Sequence, residues 1–192
     1  MSSNYFIQQS IFVFRTRHLK KFTCFFRKQW LSLAGMQIGQ GSVLPRLYVT
    51  WPHQVKIGAN CIFEPDIYFK YDGVWAKNPS IIIEDDVFIG SGCEFNISRG
   101  IIIGRKAMIA SGCKFIDHDH GTNLNMPMNF QQPITKSILI GEQCWLGANV
   151  IVLKGVKIGK GAIIGAGSLL LKEVGENEIW GGVPAKLIGK RT

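Results

Sequence analysis

From Ile140 to Gly175 the chain reads IGEQCW, LGANVI, VLKGVK, IGKGAI, IGAGSL, LLKEVG, which is a period of six residues. The first position of each hexapeptide is aliphatic, the second is usually glycine, and the fifth is small or medium-sized. The same register occurs upstream from Ile83 and Ile103, and more raggedly from Ile38 and Ile57. A short internal period indicates a repeat architecture, in which each unit buries its apolar side against its neighbours.

The six-residue period fits a short strand followed by a corner. Positions five and one lie two residues apart, so both side chains face inward, and position six faces outward between them. Val150 to Val152 is one such strand. Positions two to four then form the corner, where we expect the glycine at position two to relieve the backbone. Three strands and three corners close one coil, and coils stack roughly 4.8 Å apart. The pattern predicts an all-β fold, a parallel β-helix.

Four of the cysteines, Cys61, Cys93, Cys113 and Cys144, occupy position five of their hexapeptides. That position predicts small, buried core side chains. The spacing contains no CxxC pair, so neither a disulfide framework nor a cysteine metal site is expected. The same burial argues against a catalytic thiol.

The repeat breaks at FIDHDH, residues 115–120. Asp119 falls at position five, where a carboxylate is costly unless it is paired or the coil has opened. Gly121 follows where an aliphatic residue belongs, and hexapeptides resume only at Ile138–Ile140. Long loops inside compact domains are usually functional, so we expect a functional protruding loop at about 121–137.

Two histidines, His118 and His120, lie just before this loop. Their register places His118 in a corner and His120 at position six, so both are expected to face outward. Histidine is the side chain best suited to exchange a proton near neutral pH. A polar surface cluster that merely packs the loop is the alternative.

Residues 83–191 resemble the hexapeptide-repeat acetyltransferases, in the branch of maltose, galactoside and polysaccharide O-acetyltransferases. The resemblance consists of IDHDHG, the loop, the hexapeptides from Ile140, and a closing GGVPAKLIGKR. It implies a left-handed coil, although general topology rules favour right-handed crossovers. It also implies acetyl-CoA as the acyl donor, no required metal, and a homotrimer with active sites between subunits.

The resemblance assigns roles near the break. His120 matches the family's general base and is favoured over His118. Either Asp117 or Asp119 would orient the ring. Asn96 corresponds approximately to a polar residue that contacts the acceptor.

The coenzyme side follows the later coils by the same resemblance. Backbone amides around Gly147, Ala148 and Ala166 would contact the pantetheine arm and the developing oxyanion. Lys172 and Lys186 would meet the CoA phosphates. Trp145, at an outward position six, would lie near the active site as a substrate-binding residue.

The predicted function is acetyl-CoA-dependent O-acetyl transfer to a sugar hydroxyl, in the synthesis of a bacterial polysaccharide or related glycan. An N-acetyltransferase acting on an amino-sugar nucleotide or an antibiotic is the alternative enzyme. A non-catalytic β-helix scaffold, or a zinc protein resembling γ-class carbonic anhydrases, is the alternative of another class. The zinc hypothesis would require His53 to join His118 and His120 as the third ligand, because His18 lies outside the repeats.

The charge is uneven. The chain has 192 residues and a net charge of +9, yet its first acidic residue is Glu64, after eight lysines and arginines. Residues 5–31 mix aromatic and basic side chains, which predicts either a helix capping the coil or an interfacial helix at a membrane. No nucleic-acid reading motif accompanies the charge.

The segments divide as residues 1–37 for the basic aromatic region, 38–175 for the β-helix, and 176–192 for a short C-terminal helix or tail. No apolar run is long enough for a membrane span, and no signal-peptide core is recognisable. A cytoplasmic protein is expected, with peripheral contact at the inner membrane face as an option.

Overall fold

The computed structural model describes residues 3–14 and 20–192. Within these ranges the chain forms two helices, α1 (Ser3–Val13) and α2 (Lys20–Leu33), followed by short strands that wind into a three-sided prism. Short 3₁₀ turns lie at Pro52–Gln54 and Met128–Phe130.

Each side of the prism is a sheet whose coils pair in parallel. Face A contains β1 (Gln37–Ile38), β3 (Val55–Ile57), β6 (Ile81–Ile83), β9 (Ile101–Ile103), β14 (Ile138–Ile140) and β17 (Lys157–Ile158). Face B contains β4 (Ile62–Phe63), β7 (Phe88–Ile89), β10 (Met108–Ile109), β15 (Trp145–Leu146), β18 (Ile163–Ile164), β20 (Glu178–Gly182) and β21 (Ala185–Lys190). Face C contains β2 (Leu47–Val49), β5 (Ile67–Tyr71), β8 (Glu94–Ile97), β11 (Lys114–Ile116), β16 (Ile151–Leu153) and β19 (Leu169–Leu170). The remaining pair, β12 (His118–Asp119) and β13 (Ile134–Thr135), is antiparallel and stands outside the faces.

The centre of the prism is filled by side chains from positions one and five, as predicted. Ile140, Leu146 and Val152 are buried at three successive position-one sites. Inside face C, the phenylalanines of adjacent coils stack: the ring centroids of Phe69 and Phe95 lie 4.8 Å apart, as do those of Phe95 and Phe115. Parallel, in-register strands place like residues above one another, so the repeat builds a continuous apolar column.

The role of glycine in the corners differs from the one expected from the sequence. Positive φ occurs at position four, for example at Asn149 (57°) and Gly167 (69°), and not at position two. The position-two glycines are required instead by close stacking. A Cβ on Gly147 would lie 2.6 Å from the backbone nitrogen of Ala166 in the next coil. Glycine therefore permits coil-to-coil approach at position two, while position four takes the left-handed turn.

The four position-five cysteines are buried and unpaired, as predicted. Their thiols contact corner carbonyl oxygens of the next coil: Cys113 Sγ lies 3.2 Å from the oxygen of Gly147, and Cys144 Sγ lies 3.1 Å from that of Gly159. Burial raises the pKa of the Cys61 and Cys144 thiols, which keeps them protonated. They are core side chains whose S–H groups donate to carbonyl oxygens.

Helix α2 lies against the first coil. Leu31 is buried in the core cluster, Lys28 Nζ donates to the carbonyl of Gly39 at 2.9 Å, and Arg27 Nη1 donates to that of Leu44 at 3.3 Å. The outer side of α2 exposes aromatic rings, including Phe22 and Trp30. Neither described helix has the length and apolar character needed to cross a bilayer. An interfacial role for the exposed rings stays a prediction.

The C-terminal segment is a β-hairpin, where a short helix or tail was expected. Strand β20 extends face B by pairing in parallel with β18, and β21 folds back antiparallel on β20. The prism therefore continues past residue 175. The hairpin forms because Ile179 and Trp180 occupy the register of Ile163 and Ile164 and so continue the ladder.

The stacked rings give a test of the core. We expect Phe95→Ala to lower the free energy of unfolding by about 3–5 kcal/mol, because it leaves a cavity between Phe69 and Phe115. Phe130→Ala, at a ring that is 73% exposed, should change it by less than about 0.5 kcal/mol. Urea denaturation measures both, and equal effects would contradict the stacked core.

Candidate active site

The coil opens after Ile116. Instead of turning into face A, the chain forms β12, in which His118 pairs with Thr135 and Asp119 with Ile134. Asp119 lies outside the coil centre because the coil has opened, which is one of the two conditions under which the sequence allows a carboxylate at this position. It is exposed and forms an ion pair with Lys154 of the next coil. The chain leaves the hexapeptide register here, which removes the cost of burying this carboxylate.

The buried carboxylate is Asp117, whose side chain is fully excluded from solvent. It accepts three backbone hydrogen bonds, from the N–H groups of Ser98 (2.8 Å), Arg99 (2.7 Å) and Gly100 (2.7 Å). These donors belong to the corner of the coil below. Asp117 thereby satisfies backbone groups at the point where the regular ladder is interrupted.

The same carboxylate holds His118. The Nδ1 atom of His118 lies 3.1 Å from Oδ1 of Asp117 and 3.2 Å from Oγ of Ser98. The His118 side chain is only 16% exposed, whereas the register predicted an outward-facing ring. The reason is the hairpin of β12 and β13, which replaces the expected corner and leaves the ring against Ser98.

Sequence reasoning missed the next members of this network. Ser98 Oγ donates to Oδ1 of Asp72 at 2.9 Å, and Lys70 Nζ lies 2.8 Å from Oδ2 of the same carboxylate. Burial raises the pKa of Asp72, but the hydrogen bonds from Lys70 and Ser98 outweigh it, and the net pKa is lowered. Lys70 also donates to Oδ1 of Asn96 at 3.2 Å. Asn96 thus lies within the same network, and its contact with an acceptor stays a prediction.

We call the line of corners between faces C and A the C–A edge. The network of Lys70, Asp72, Asn96, Ser98, Asp117 and His118 lies along it. No sequence pattern marked Lys70, Asp72 or Ser98, because Lys70 and Asp72 belong to one coil and Ser98 to the next, and the network forms only when these coils stack.

His120 differs from His118. Its residue is exposed, and within the described part of the chain its side chain makes no hydrogen bond or ion pair. The loop beyond it is internally braced by Gln131, which bonds to the backbone of Asn123 and Met126. His120 therefore presents a free imidazole where the loop begins.

Lys172 and Lys186 come together. Both line a cavity of about 310 Å³ with Leu171, Trp180 and Pro184. The strand register places Ile116 beside Leu153, and Val152 beside Leu170, so Lys172 lies on the C–A edge two coils above Asp117. Lys172 thus shares an edge with the histidines, and Lys186, on β21, lines the same cavity.

The remaining predicted residues lie elsewhere on the chain. Gly147, Ala148 and Ala166 form the corner between faces B and C, which we call the B–C edge. The backbone N–H groups of Ala148 and Ala166 take no part in hydrogen bonds within the described residues. Trp145 is 51% exposed on face B. One chain alone does not bring these groups next to His118 or His120.

His53 lies among aromatic rings near β2 and β3, and His18 falls outside the described residues. Across residues 3–14 and 20–192, no three His, Cys, Asp or Glu side chains form a group that could hold a metal ion.

Comparison with known proteins defines the class. Residues 137–172 match "Bacterial transferase hexapeptide (six repeats)", and residues 80–113 match "Hexapeptide repeat of succinyl-transferase". WcaF of Escherichia coli, named as a colanic acid biosynthesis acetyltransferase, is 31% identical over 136 residues, covering 71% of this chain and 69% of WcaF. The chain belongs to the hexapeptide-repeat acetyltransferase family.

A second relative is WbbJ of Escherichia coli, named as a lipopolysaccharide biosynthesis O-acetyl transferase. It is 34% identical over 118 residues, covering 57% of this chain and 60% of WbbJ, so the match spans well under the relative's full length. Among solved structures, an N-acyltransferase from Bacillus cereus, AntD, in complex with dTDP and coenzyme A, has a TM-score of 0.74 at 19% identity. The match covers 85% of this chain and 89% of AntD. This likeness confirms the left-handed parallel β-helix.

Asp117 provides a stability test. Asp117→Ala leaves three backbone donors without an acceptor, one of them in a fully buried bond, and an unsatisfied buried group costs about 1–3 kcal/mol. We expect the free energy of unfolding to fall by at least about 2 kcal/mol. The matched control is Asp119→Ala, which removes a largely exposed ion pair and should cost less than about 1 kcal/mol. Chemical denaturation compares them, and a larger loss for Asp119→Ala would contradict this role for Asp117.

Proposed function

We propose that this protein transfers an acetyl group from acetyl-CoA to a saccharide hydroxyl. The observation that carries the proposal is the C–A edge. A histidine pair at the one long interruption of the described β-helix shares that edge with a cavity lined by two lysines. A CoA thioester that lies along this edge would place its thioester near the histidine base and its phosphates near the lysines.

The reaction needs one base and no covalent enzyme intermediate. An imidazole nitrogen takes the proton of the acceptor hydroxyl as its oxygen attacks the thioester carbonyl carbon. The tetrahedral intermediate collapses with cleavage of the carbon–sulfur bond, and the departing CoA thiolate takes the proton from the imidazolium. The products are an acetyl ester and CoA. Backbone N–H donors stabilise the oxyanion that forms between these steps.

His120 is the base in this proposal. It is exposed at the mouth of the loop, where an acceptor hydroxyl can reach it, whereas His118 is largely enclosed and bonded to Asp117. His118 and Asp117 then hold the segment from which His120 projects. His120 is thus the base, as the family resemblance implies, and His118 has a positioning role.

The names of the relatives support the substrate class. WbbJ and WcaF are named for lipopolysaccharide and colanic acid biosynthesis, and WbbJ specifically for O-acetyl transfer. AntD is described with coenzyme A, which supports CoA as the donor's carrier. An amino acceptor would use the same base, and a panel of acceptors that includes amino sugars separates the two activities.

The function is tested by release of CoA thiol from acetyl-CoA with sugars, nucleotide sugars and polysaccharides as acceptors. We expect His120→Ala to bind CoA like the wild type, because Lys172 and Lys186 are intact, while turnover falls about 10²- to 10⁴-fold. Calorimetry with CoA and the thiol assay measure the two quantities.

His118→Ala is the matched comparison. It should also reduce turnover, but residual activity should exceed that of His120→Ala, because the base itself remains. Full activity in His120→Ala with loss in His118→Ala would move the base to His118. Absence of CoA binding in the wild type would overturn the proposed function.

The proposed site residues lie on two different edges of the prism, and this separation indicates how chains assemble. His120 and Lys172 lie on or beside the C–A edge, whereas Ala148 and Ala166 lie on the B–C edge across face C. A complete site therefore needs the C–A edge of one chain beside the B–C edge of another. Three prisms around a three-fold axis satisfy this requirement at every interface. The loop also exposes apolar side chains, Leu124, Met128 and Phe130, that a neighbouring chain would cover.

Mixed assemblies test this arrangement. His120→Ala damages one edge, and Ala166→Glu places a bulky anion on the other, at an exposed corner. Each variant alone should be inactive. Co-assembled with two different tags, they should recover about a quarter of wild-type activity, because one random interface in four pairs two intact edges in a cyclic trimer. No recovery in confirmed mixed assemblies would contradict a shared site, and so would an active monomer.

A further inference from the structure

A second concave site lies near the start of the prism. Trp51, His53 and Trp75 line a pocket of about 100 Å³ together with Tyr71 and Gly73. The ring centroid of His53 lies 5.8 Å from that of Trp51 and 6.1 Å from that of Trp75. Three rings therefore surround one small space.

The walls of this pocket are held by Gln54, which also lines it and is fully buried. Its amide nitrogen donates to the carbonyl of Ala76, and its amide oxygen accepts from Ser80 Oγ at 2.8 Å. These bonds join the turn that carries Trp51 and His53 to the loop that carries Trp75. A third bond, from Tyr71 Oη to the carbonyl of Val74 (2.7 Å), braces the same loop. The pocket is therefore preformed, which reduces the entropy lost on binding.

One polar atom of a pocket-lining residue has no partner. Nε2 of His53 is buried and makes no hydrogen bond to any described residue. Buried polar groups are normally satisfied, and an unsatisfied one costs free energy. Because this atom is shielded from solvent, a ligand in the pocket would meet the ring of His53 and the two indoles, not Nε2.

The two indoles provide apolar surface to the same ligand. Trp51 is 53% exposed and Trp75 is 68% exposed, although both rings belong to a braced structure. Exposed indoles at a pocket usually contact a partner that offers an apolar face and polar edges. The pocket is lined by aromatic rings, a glycine, an amide and an imidazole, with no lysine, arginine or carboxylate. A neutral ligand fits this lining better than a phosphate or a carboxylate.

The pocket is connected to the proposed acetylation site. Tyr71 and Gly73 flank Asp72, which accepts the hydrogen bond from Ser98 beside His118. Asp72, Ser98 and His118 lie in successive coils, so the pocket is roughly 10 Å from His118 at about 4.8 Å per coil. That separation corresponds to one or two sugar rings.

We propose that this aromatic pocket binds a neutral sugar ring of the acceptor, one or two residues away from the ring that is acetylated. The C–H face of the sugar packs on Trp75 and Trp51, beside the ring of His53. The inference rests on the proposed function for its account of the acceptor, but the binding site is testable separately. It would make the enzyme selective for oligosaccharides over single sugars.

Binding is measured without catalysis by fluorine NMR of protein labelled with 5-fluorotryptophan. The probes are lactose, cellobiose, maltose and N,N′-diacetylchitobiose, with resonances assigned from single Trp→Phe variants. We expect at least one disaccharide to shift the Trp51 and Trp75 resonances and to leave those of Trp30 and Trp180 unchanged. No shift at Trp51 and Trp75 with any of the four probes would overturn the proposal.

Tryptophan variants then test whether the aromatic face of Trp75 contacts the sugar. Trp75→Ala should weaken disaccharide binding at least tenfold, whereas Trp75→Phe, which keeps an aromatic face, should retain most of it. Trp30→Ala removes an indole of similar exposure on α2 and should have no effect. Equal affinity in Trp75→Ala and the wild type would contradict the site.

Kinetics distinguish this inference from the proposed function. With acetyl-CoA and an oligosaccharide acceptor, Trp75→Ala should raise KM at least tenfold and leave kcat and CoA affinity unchanged. Acetyl transfer that is insensitive to Trp75 would refute the subsite and leave the function standing. Disaccharide binding without any CoA binding would refute the function and leave the pocket standing.

Discussion

Hydrogen bonding between successive coils is the constraint on which the structure depends. Each short strand has its partners only in the coils below and above it, so every coil must repeat the register of its neighbours. Where the chain leaves that register, the exposed donors need another acceptor. Asp117 meets this need by accepting from three N–H groups of the preceding corner. The interruption is therefore a stable feature of the fold.

The carboxyl group of Asp117 also creates the polar network of the site. A carboxylate placed at the break to satisfy backbone donors also contacts His118, and Ser98 joins it to Asp72 in the coil below. Stacking thus brings residues from three coils to one edge. The catalytic chemistry we propose uses a location where the interruption of the repeat already places a buried carboxyl group.

The repeat also explains why the predicted site residues divide into two groups. Position in the hexapeptide determines which edge or face a residue occupies, and position along the chain determines its height. Lys172 is on the C–A edge, Ala148 and Ala166 are on the B–C edge, and Trp145 projects from face B. Stacking cannot move a residue from one edge to another. A site that uses both edges must therefore form between chains, which connects the hexapeptide register to the proposed trimer.

The sequence by itself determined the coil, the inward positions and the place of the break, because local periodicity dictates which side chains face the axis. It identified the buried cysteines correctly, and the two lysines that it marked line one cavity. It misjudged the exposure of His118 and attributed the wrong role to the position-two glycines, whereas Asp119 is paired and the coil has opened, as the sequence allowed. It also missed Ser98, Asp72 and the Gln54-braced pocket. Those features depend on contacts between coils about 20 residues apart in the chain, for which a six-residue pattern contains no signal. Only the tertiary structure decided them, because stacking determines which polar groups meet and which remain without a partner.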